Sequence, residues 1–317
     1  MFIRSKSNPI LKPDKKPSWR SRKVYNPGAI YENKKYHLFY RAVGRDWISR
    51  IGYAISSDGE KFVSEFQPRL LPQGDLETRG IEDPRITKIK NSYYLTYTAY
   101  NGDCARLNLT TSNDLKNWRK HGPMLKNWNF LKAGGFIVKW DKVRNQYPVR
   151  SQWSKAGGIF PELISNKYWM IFGDSNLWLA QSKDGKKWQP IEKPFLQPRK
   201  NYFDSIHLEM GPSPIKINKG WLVLYHGVDK EIVYRLGYLF LDLTNPNKIL
   251  YRSAKPIFEP SASYELGGSV DITGDNKPKV IFCCGAVIVN NILRIYYGAG
   301  DSVIGTAMIK LDELIKR

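Results

Sequence analysis

Short apolar runs recur along the chain, and each follows a polar turn. Five of these runs are rich in aromatic residues: YHLFY at 36–40, YYLTY at 93–97, YWMIF at 168–172, WLVLY at 221–225 and LRIYY at 293–297. Before each turn lies another apolar segment, at 29–31, 86–88, 158–160, 214–216 and 286–289. Two such segments joined by a turn of Asn, Ser, Lys and Gly are typical of a β-hairpin. The pattern therefore predicts one hairpin repeated five times.

A third apolar segment follows each hairpin, at 51–54, 107–110, 177–180, 236–240 and 304–308. Three of these segments run into one turn, Ser-x-Asp-x-x-x-aromatic. Its copies are Ser56/Asp58/Phe62, Ser112/Asp114/Trp118 and Ser182/Asp184/Trp188. Ser and Asp side chains bond nearby backbone amides in such turns, and we expect the closing aromatic residue to anchor a fourth strand on the sheet.

Five four-stranded units in one chain favour an all-β fold, a five-bladed β-propeller whose innermost strands line a central channel. A β-sandwich is the alternative, but its strands would be more evenly spaced and would not form five matching hairpins. Residues 311–317 alone have a helical pattern, which predicts a short C-terminal helix. We expect residues 1–317 to form a single domain, because closed all-β domains of this length are common.

Unusual polar residues lie at equivalent ends of the predicted units. Each has an ordinary structural explanation by itself, as a turn former, an exposed cation or a buried histidine. Loops at one mouth of a propeller converge on a shared pocket, however, so these side chains can meet in space. The set comprises Asn26, Arg41, Asp83, Arg106, Lys155, Glu209, His226 and Asp301.

The string Glu82-Asp83-Pro84-Arg85 contains the clearest candidate for acid chemistry. Proline at 84 favours an extended conformation of Asp83. We expect Arg85 to pair with one of the two carboxylates, which leaves the other partly desolvated and able to act as an acid. The alternative is a purely structural arginine–carboxylate pair.

Six strings, taken in order, resemble the β-mannoside phosphorylases of glycoside hydrolase family 130. They are NPGAI at 26–30, FYRAVG at 39–44, GIEDPR at 80–85, YTAY at 97–100, YHGV at 225–228 and YGAGD at 297–301. The resemblance implies a five-bladed propeller, in agreement with the repeats. It also implies inverting phosphorolysis of a β-1,2- or β-1,4-linked manno-oligosaccharide, or of a mannosyl-glucose or mannosyl-GlcNAc disaccharide. The products would be α-mannose 1-phosphate and a shortened acceptor.

The resemblance further implies roles for individual residues. The single catalytic acid corresponds to Asp83, which would deliver its proton through a hydroxyl of the mannosyl ring. The mannosyl-binding set corresponds to Asn26, Arg41 and Asp301. The phosphate-binding set corresponds to Arg106, Lys155, His226 and Tyr234, with Arg119 as a weaker match. No cofactor or metal is implied, and inorganic phosphate is the co-substrate.

The chemistry leaves alternatives open. A phosphorolytic enzyme needs no catalytic base, because phosphate arrives already ionised, but it needs cations to hold that phosphate. An inverting hydrolase needs a second carboxylate about 6.5–9.5 Å from the acid to activate water, and Glu209 or Glu265 could serve. A non-catalytic propeller that binds carbohydrate or nucleic acid is a third reading. The cations Arg106, Lys155 and His226 favour phosphorolysis.

Some positions depart from the family pattern near the expected substrate loops. The chain has KAGG at 155–158 where KSGA is usual, FCCG at 282–285 where FPCG is usual, and an enlarged segment at 267–279. The linkage and the acceptor sugar therefore stay open.

The composition indicates the class of protein, but it says little about the reaction. Fifty Lys and Arg against 29 Asp and Glu give a net charge of +21, which suits an anionic partner or a solvated basic surface. The lysines are spread along the chain, so nucleic acid is not the favoured partner. No run approaches the ~18 apolar residues of a membrane helix, and no apolar signal segment begins the chain. We expect a cytoplasmic enzyme with free thiols at Cys104, Cys283 and Cys284 and no membrane partner; a homo-oligomer stays open.

Overall fold

The computed structural model of the chain describes residues 2–136, 152–267 and 278–316, which are nearly all β. Strand β1 (Ile3–Arg4) begins the chain. A first group contains β2 (Lys23–Glu32), β3 (Lys35–Val43), β4 (Ser49–Ser56) and β5 (Val63–Ser64). A second contains β6 (Gly80–Ile89), β7 (Ser92–Tyr100), β8 (Ala105–Ser112) and β9 (Arg119–Pro123). A third contains β10 (Gly157–Ile159), β11 (Tyr168–Phe172), β13 (Trp178–Ser182) and β14 (Gln189–Pro190), with β12 (Asp174–Ser175) between β11 and β13.

Two more groups complete the described part of the chain. The fourth contains β15 (His207–Met210), β16 (Ile215–Ile217), β17 (Gly220–Val228), β18 (Val233–Leu241) and β19 (Ile249–Arg252). The fifth contains β20 (Lys279–Val289), β21 (Ile292–Ala299) and β22 (Val303–Lys310), and β1 pairs antiparallel with β22 as its last strand. Helix α1 (Leu311–Ile315) follows, which confirms the predicted short C-terminal helix. It is too short to cross a membrane, and no other helix among the described residues could do so.

The repeated hairpin predicted from the sequence is confirmed. Its two strands pair antiparallel in every group, as β2 with β3, β6 with β7, β10 with β11, β16 with β17 and β20 with β21. In the fourth group the first strand is divided, because both β15 and β16 pair with the same side of β17. The parallel pairings of β4 with β6 and of β18 with β20 join neighbouring groups at the ends of these strands.

The Ser-x-Asp turns form as predicted. In the first copy, Asp58 Oδ1 accepts hydrogen bonds from the backbone amides of Lys61 and Glu60 at 2.8 and 2.9 Å. These bonds lower the pKa of Asp58 to about 2. The closing aromatic residue, however, packs on the neighbouring group. The ring centroid of Phe62 lies 5.7 Å from that of Tyr296, and Trp118 lies 5.3 Å from Phe39.

Hydrophobic clusters fill the spaces between consecutive groups. Each group buries one sheet face against the next, because a sheet with an apolar face needs a second layer to exclude water. Groups one to five are joined in sequence, and the fifth also packs against the first. Buried residues of neighbouring groups that belong to the same cluster include Phe39 and Leu95, Leu109 and Phe172, Ile171 and Val223, Leu224 and Ile295, and Leu38 and Tyr296.

Candidate active site

A cavity of about 260 Å³ opens where the first strands of the groups approach one another. Strand β2 packs against β6 and β20, and β6 also contacts β10. The cavity is lined by Lys23, Tyr25, Asn26, Arg41, Asp83, Lys155, Glu209, Tyr234, Val280, Phe282 and Asp301. Six of the eight polar residues at the ends of the predicted units, together with Tyr234 of the predicted phosphate set, are therefore in one cavity.

The predicted acid Asp83 and its neighbour Asn26 lie where the pairing of their strands is interrupted. The pairing of β2 with β3 skips between Tyr25 and Gly28, and that of β6 with β7 skips between Glu82 and Arg85. Asn26 and Asp83 occupy these bulges with φ of 47° and 51°. Asn and Asp accept the left-handed conformation at lower cost than most other side chains.

The predicted extended conformation of Asp83 is wrong. Pro84 disfavours the right-handed helical region for its neighbour, but the bulge places Asp83 in the left-handed region instead. The backbone of the two bulges is closely packed, since a Cβ on Gly28 would lie 2.6 Å from the carbonyl oxygen of Pro84. Tertiary contact therefore selects the conformation of Asp83.

Asp83 accepts hydrogen bonds from two of the predicted mannosyl-binding residues. Asn26 Nδ2 donates to Asp83 Oδ1 at 2.8 Å, and Arg41 Nη1 lies 3.3 Å from the same oxygen. Neither contact involves Oδ2. The Arg41 guanidinium also lies over the ring of Tyr25, 4.7 Å from its centroid. The side chain of Asp83 is thus held at one oxygen in the cavity wall.

Glu82 pairs with the guanidinium nitrogen of Arg41 that does not contact Asp83. Its Oε1 lies 2.5 Å from Arg41 Nη2, and Ser49 Oγ accepts from Arg41 Nε at 3.0 Å. Burial raises the pKa of Glu82 above its ordinary value, although the charge of Arg41 opposes the shift. Arg41 therefore spans two carboxylates that are adjacent in sequence.

Arg85 does not pair with either carboxylate, so this prediction is wrong. Its buried guanidinium donates to three backbone carbonyls: Asp83 at 2.8 Å, Gly211 at 2.8 Å and Met210 at 2.7 Å. The bulge turns the Asp83 carbonyl towards Arg85 while the carboxylate points to Asn26 and Arg41. Arg85 consequently connects the second group to the fourth behind the cavity.

Lys155 lies at the other side of the cavity with carboxylates of its own. Its Nζ is 3.0 Å from Glu209 Oε1 and 3.9 Å from Asp174 Oδ2. Although burial by itself favours the protonated form, Lys155 and His207 hold the pKa of Glu209 well below its ordinary value. Glu209 is therefore an ionised carboxylate in the same cavity as Asp83.

Two residues of the predicted phosphate set are not brought to the cavity. The Arg106 guanidinium hydrogen-bonds the side chain of Gln152. His226 has no exposed surface; its Nε2 accepts from the backbone amide of Cys283 at 2.8 Å, and its ring stacks on Phe282 at 4.2 Å. Lys155 and Tyr234 are the members of that set that line the cavity. The weaker candidate Arg119 lies exposed at the start of β9.

Sequence reasoning missed four of the lining residues. Lys23 and Tyr25 precede Asn26 on β2, while Val280 and Phe282 lie on β20. Within each pair the residues are two positions apart, so alternation along a strand places both side chains on one face. This alternation relates the members of each pair to one another, but counting back from Asn26 would miss Tyr25 and Lys23, because the bulge places the adjacent Tyr25 and Asn26 both at the cavity.

Glu265, one of the two candidates for a hydrolytic base, is not at the cavity. Tyr297 Oη donates to its Oε1 at 2.7 Å, and Arg4 Nη2 lies 2.8 Å from its Oε2. The backbone amides of Ser261 and Ala262 also bond Oε2, at 2.7 and 2.9 Å. These partners make Glu265 a structural anchor of the N-terminal strand.

Acid is expected to destabilise the fold through His226, because burial lowers the pKa of its imidazole to about 3. Below about pH 6.5 the imidazole of His226 binds a proton in the unfolded chain but not in the folded chain. The free energy of unfolding therefore falls as the pH drops towards 3. Between pH 7.5 and 4.5 the wild type should lose about 2–3 kcal/mol more unfolding free energy than His226→Gln. Urea unfolding at both pH values measures the difference, and equal losses in the two proteins would contradict a neutral His226.

No cluster of three or more His, Cys, Asp or Glu side chains suited to a metal ion occurs in residues 2–136, 152–267 and 278–316. The cysteines Cys104, Cys283 and Cys284 are free thiols, as expected. The ionisable groups that line the cavity are carboxylates, cations and the phenols of Tyr25 and Tyr234.

Comparison with known proteins relates the chain to one family. The family model described as β-1,4-mannooligosaccharide phosphorylase, glycoside hydrolase family 130, matches residues 4–317. A 1,2-β-oligomannan phosphorylase of Thermoanaerobacter sp. (strain X514) is 34% identical over 322 residues, 98% of each chain. A β-1,2-mannobiose phosphorylase of the same organism is 35% identical over 330 residues, 99% of this chain and 98% of the relative.

A solved structure gives the same result. The β-1,2-mannobiose phosphorylase of Listeria innocua, in complex with β-1,2-mannobiose, superimposes with a TM-score of 0.80 at 25% identity, covering 99% of this chain and 98% of that one. Sequence, family model and three-dimensional similarity all extend over nearly the whole chain. The chain belongs to glycoside hydrolase family 130, as its six sequence strings predicted.

Proposed function

We propose that this protein is an inverting phosphorylase that cleaves a β-mannoside with inorganic phosphate and needs no other cofactor. The observation that carries the proposal is the cavity in which Asp83, fixed at one oxygen by Asn26 and Arg41, shares a wall with Lys155. The two phosphorylases of Thermoanaerobacter, related over almost the full length, support the same reaction.

Asp83 is the catalytic acid in this proposal. Its Oδ2, which neither Asn26 nor Arg41 contacts, carries the proton and passes it through a mannosyl hydroxyl to the glycosidic oxygen. Phosphate attacks the anomeric carbon from the opposite face as the bond to the acceptor breaks. The proton ends on the acceptor hydroxyl, and the new carbon–oxygen bond gives α-mannose 1-phosphate. No base is required, because phosphate is already nucleophilic at neutral pH.

We propose that Asn26, Arg41 and Asp301 hold the mannosyl ring and that Lys155 and Tyr234 hold phosphate. All five line the cavity. Arg106 would have to exchange Gln152 for phosphate in order to join them. His226 supports the wall from behind by stacking on Phe282, since a neutral and fully buried imidazole offers no charge to an anion.

The proposal also covers the arrangement of the five sheet groups. We propose a single domain in which the five sheet groups are the blades of a propeller around the cavity. The hydrophobic clusters between consecutive groups, including the fifth and the first, support this arrangement. The pairing of β1 with β22 supports closure between the two ends of the chain. Three free thiols, two of them buried, favour a reducing compartment such as the cytoplasm.

Phosphate dependence tests the reaction directly. With β-1,2-mannobiose as the first substrate, we expect α-mannose 1-phosphate and mannose to form in equal amounts when phosphate is present, and negligible turnover without it. Anion-exchange chromatography with a phosphate-free control measures both products. Reverse reactions from α-mannose 1-phosphate with mannose, glucose and N-acetylglucosamine identify the acceptor. Release of two free mannoses without phosphate would contradict the proposal.

Hydrolysis of the same bond is the second candidate, and Glu209 favours it. This carboxylate lines the cavity with Asp83 and is ionised, as a base that activates water must be. Its close contact with Lys155 places it equally well to hold that lysine. Product analysis without phosphate separates the two reactions.

A further inference from the structure

We propose that Glu209 and Asp174 form an anionic latch on Lys155, which incoming phosphate must open, so that these carboxylates set the affinity of the enzyme for phosphate. The inference rests on the proposed phosphorolysis and concerns how the same cavity admits its anionic co-substrate. No role in phosphate binding follows for either carboxylate from the sequence strings.

The two carboxylates are direct neighbours across a strand pair. Asp174 on β12 is opposite Glu209 on β15, and the two side chains are almost fully buried, at 9% and 3% exposure. Like charges directly opposite one another destabilise a sheet. Lys155 compensates this repulsion by placing Nζ 3.0 Å from Glu209 and 3.9 Å from Asp174.

Both carboxylates are more deeply buried than the lysine, and Asp174 is also held by hydrogen bonds. Trp153 Nε1 lies 3.1 and 3.0 Å from the two oxygens of Asp174 and donates to them. His207 Nε2 lies 3.7 Å from Glu209 Oε2. Lys155 is the more exposed partner, with 23% of its side chain accessible. Its flexible stem makes it the part of the latch that can turn towards a ligand.

The carboxylates around Lys155 oppose the binding of phosphate. Lys155 carries one positive charge beside the ionised Glu209 and the buried Asp174, whose pKa burial raises, so the three side chains together present no net positive charge to an incoming anion. The side chains of Asp83 and Tyr234 face Lys155 and carry no positive charge, and the other cations of the cavity, Lys23 and Arg41, lie on β2 and β3. Phosphate must therefore take Lys155 away from Glu209, and the lost ion pair subtracts from its binding energy.

Removing the charge of Glu209 should release Lys155 for phosphate. We expect Glu209→Gln, which keeps the shape of the side chain, to lower the KM for phosphate by about 10-fold, within the usual range of coupling between neighbouring sites. The KM for the mannoside should change less than twofold. Initial rates with either substrate varied at saturating partner measure both constants. A phosphate KM that is unchanged or raised would overturn the latch.

Glu162→Gln is the matched control. Glu162 also pairs with a lysine, Lys216 at 2.6 Å, but on the exposed surface outside the cavity. It should leave both KM values at their wild-type levels. If Glu209→Gln fails to fold by circular dichroism, Asp174→Asn performs the same test, since it also removes one charge and its amide oxygen still accepts from Trp153.

A double-mutant cycle shows whether the effect passes through Lys155. In a Lys155→Met background, Glu209→Gln should improve the phosphate KM by a clearly smaller factor than in the wild type. Equal factors in the two backgrounds would overturn the latch, because Glu209 would then repel phosphate without holding the lysine.

The phosphate requirement of the wild type distinguishes a failure of the latch from a failure of the proposed function. If the wild type requires phosphate but Glu209→Gln does not lower the phosphate KM, the latch alone is wrong. If the wild type releases free mannose without phosphate and Glu209→Gln abolishes that release, Glu209 is a hydrolytic base. That result overturns phosphorolysis and the latch together.

Discussion

Asp83→Asn is expected to lower kcat by about 10²–10⁴-fold while the KM for the mannoside stays within a fewfold of the wild type. The amide cannot supply the proton to the leaving oxygen, but it can still accept from Asn26 and Arg41 through one oxygen. Asparagine also tolerates the left-handed backbone at this position, where φ is 51°. The substitution therefore removes the acid with little change in shape.

Steady-state kinetics in the phosphorolytic direction, with mannoside binding measured separately by calorimetry, check this expectation. Asp103→Asn, an exposed aspartate before β8, is the matched control and should behave as the wild type. Residual turnover within about fivefold of the wild type would contradict Asp83 as the acid. Loss of binding with unchanged kcat would instead assign Asp83 to substrate recognition alone.

Arg85→Met is expected to destabilise the fold by about 3–5 kcal/mol. The substitution leaves three backbone carbonyls, of Asp83, Met210 and Gly211, without the donors that they have in the interior. Each unsatisfied buried acceptor costs about 1–3 kcal/mol. Only 1% of Arg85 is exposed, so water cannot replace the lost donors without opening the packing.

Chemical denaturation measures this loss, with Lys216→Met as the control. Lys216 is half exposed in a surface ion pair, whose removal should cost less than about 1 kcal/mol. The loss of unfolding free energy in Arg85→Lys should lie between zero and that of Arg85→Met, or close to the latter. One ammonium does not reproduce the geometry of a guanidinium that bonds three carbonyls. A change below about 1 kcal/mol in Arg85→Met would contradict the structural role.

The sequence by itself determined the elements with local causes. Apolar runs separated by polar turns predicted the hairpins, and the Ser-x-Asp turns formed through hydrogen bonds that reach two or three residues along the chain, as at Asp58. The candidate residues at the strand ends were also identified, and six of eight line one cavity. Such features follow from alternation and turn chemistry, which a single segment contains.

Tertiary structure alone decided the partners of the charged groups. Arg85 bonds a carbonyl 126 residues away, Lys155 meets Glu209 from another group, and the ring of His226 is covered by Phe282. The φ of Asp83 likewise depends on the packing of its bulge against that of Asn26. These partners are distant in the chain and become neighbours only when the sheet groups pack together, so no local pattern encodes them. Desolvation follows from the same packing, and it determines which of these groups carry charge.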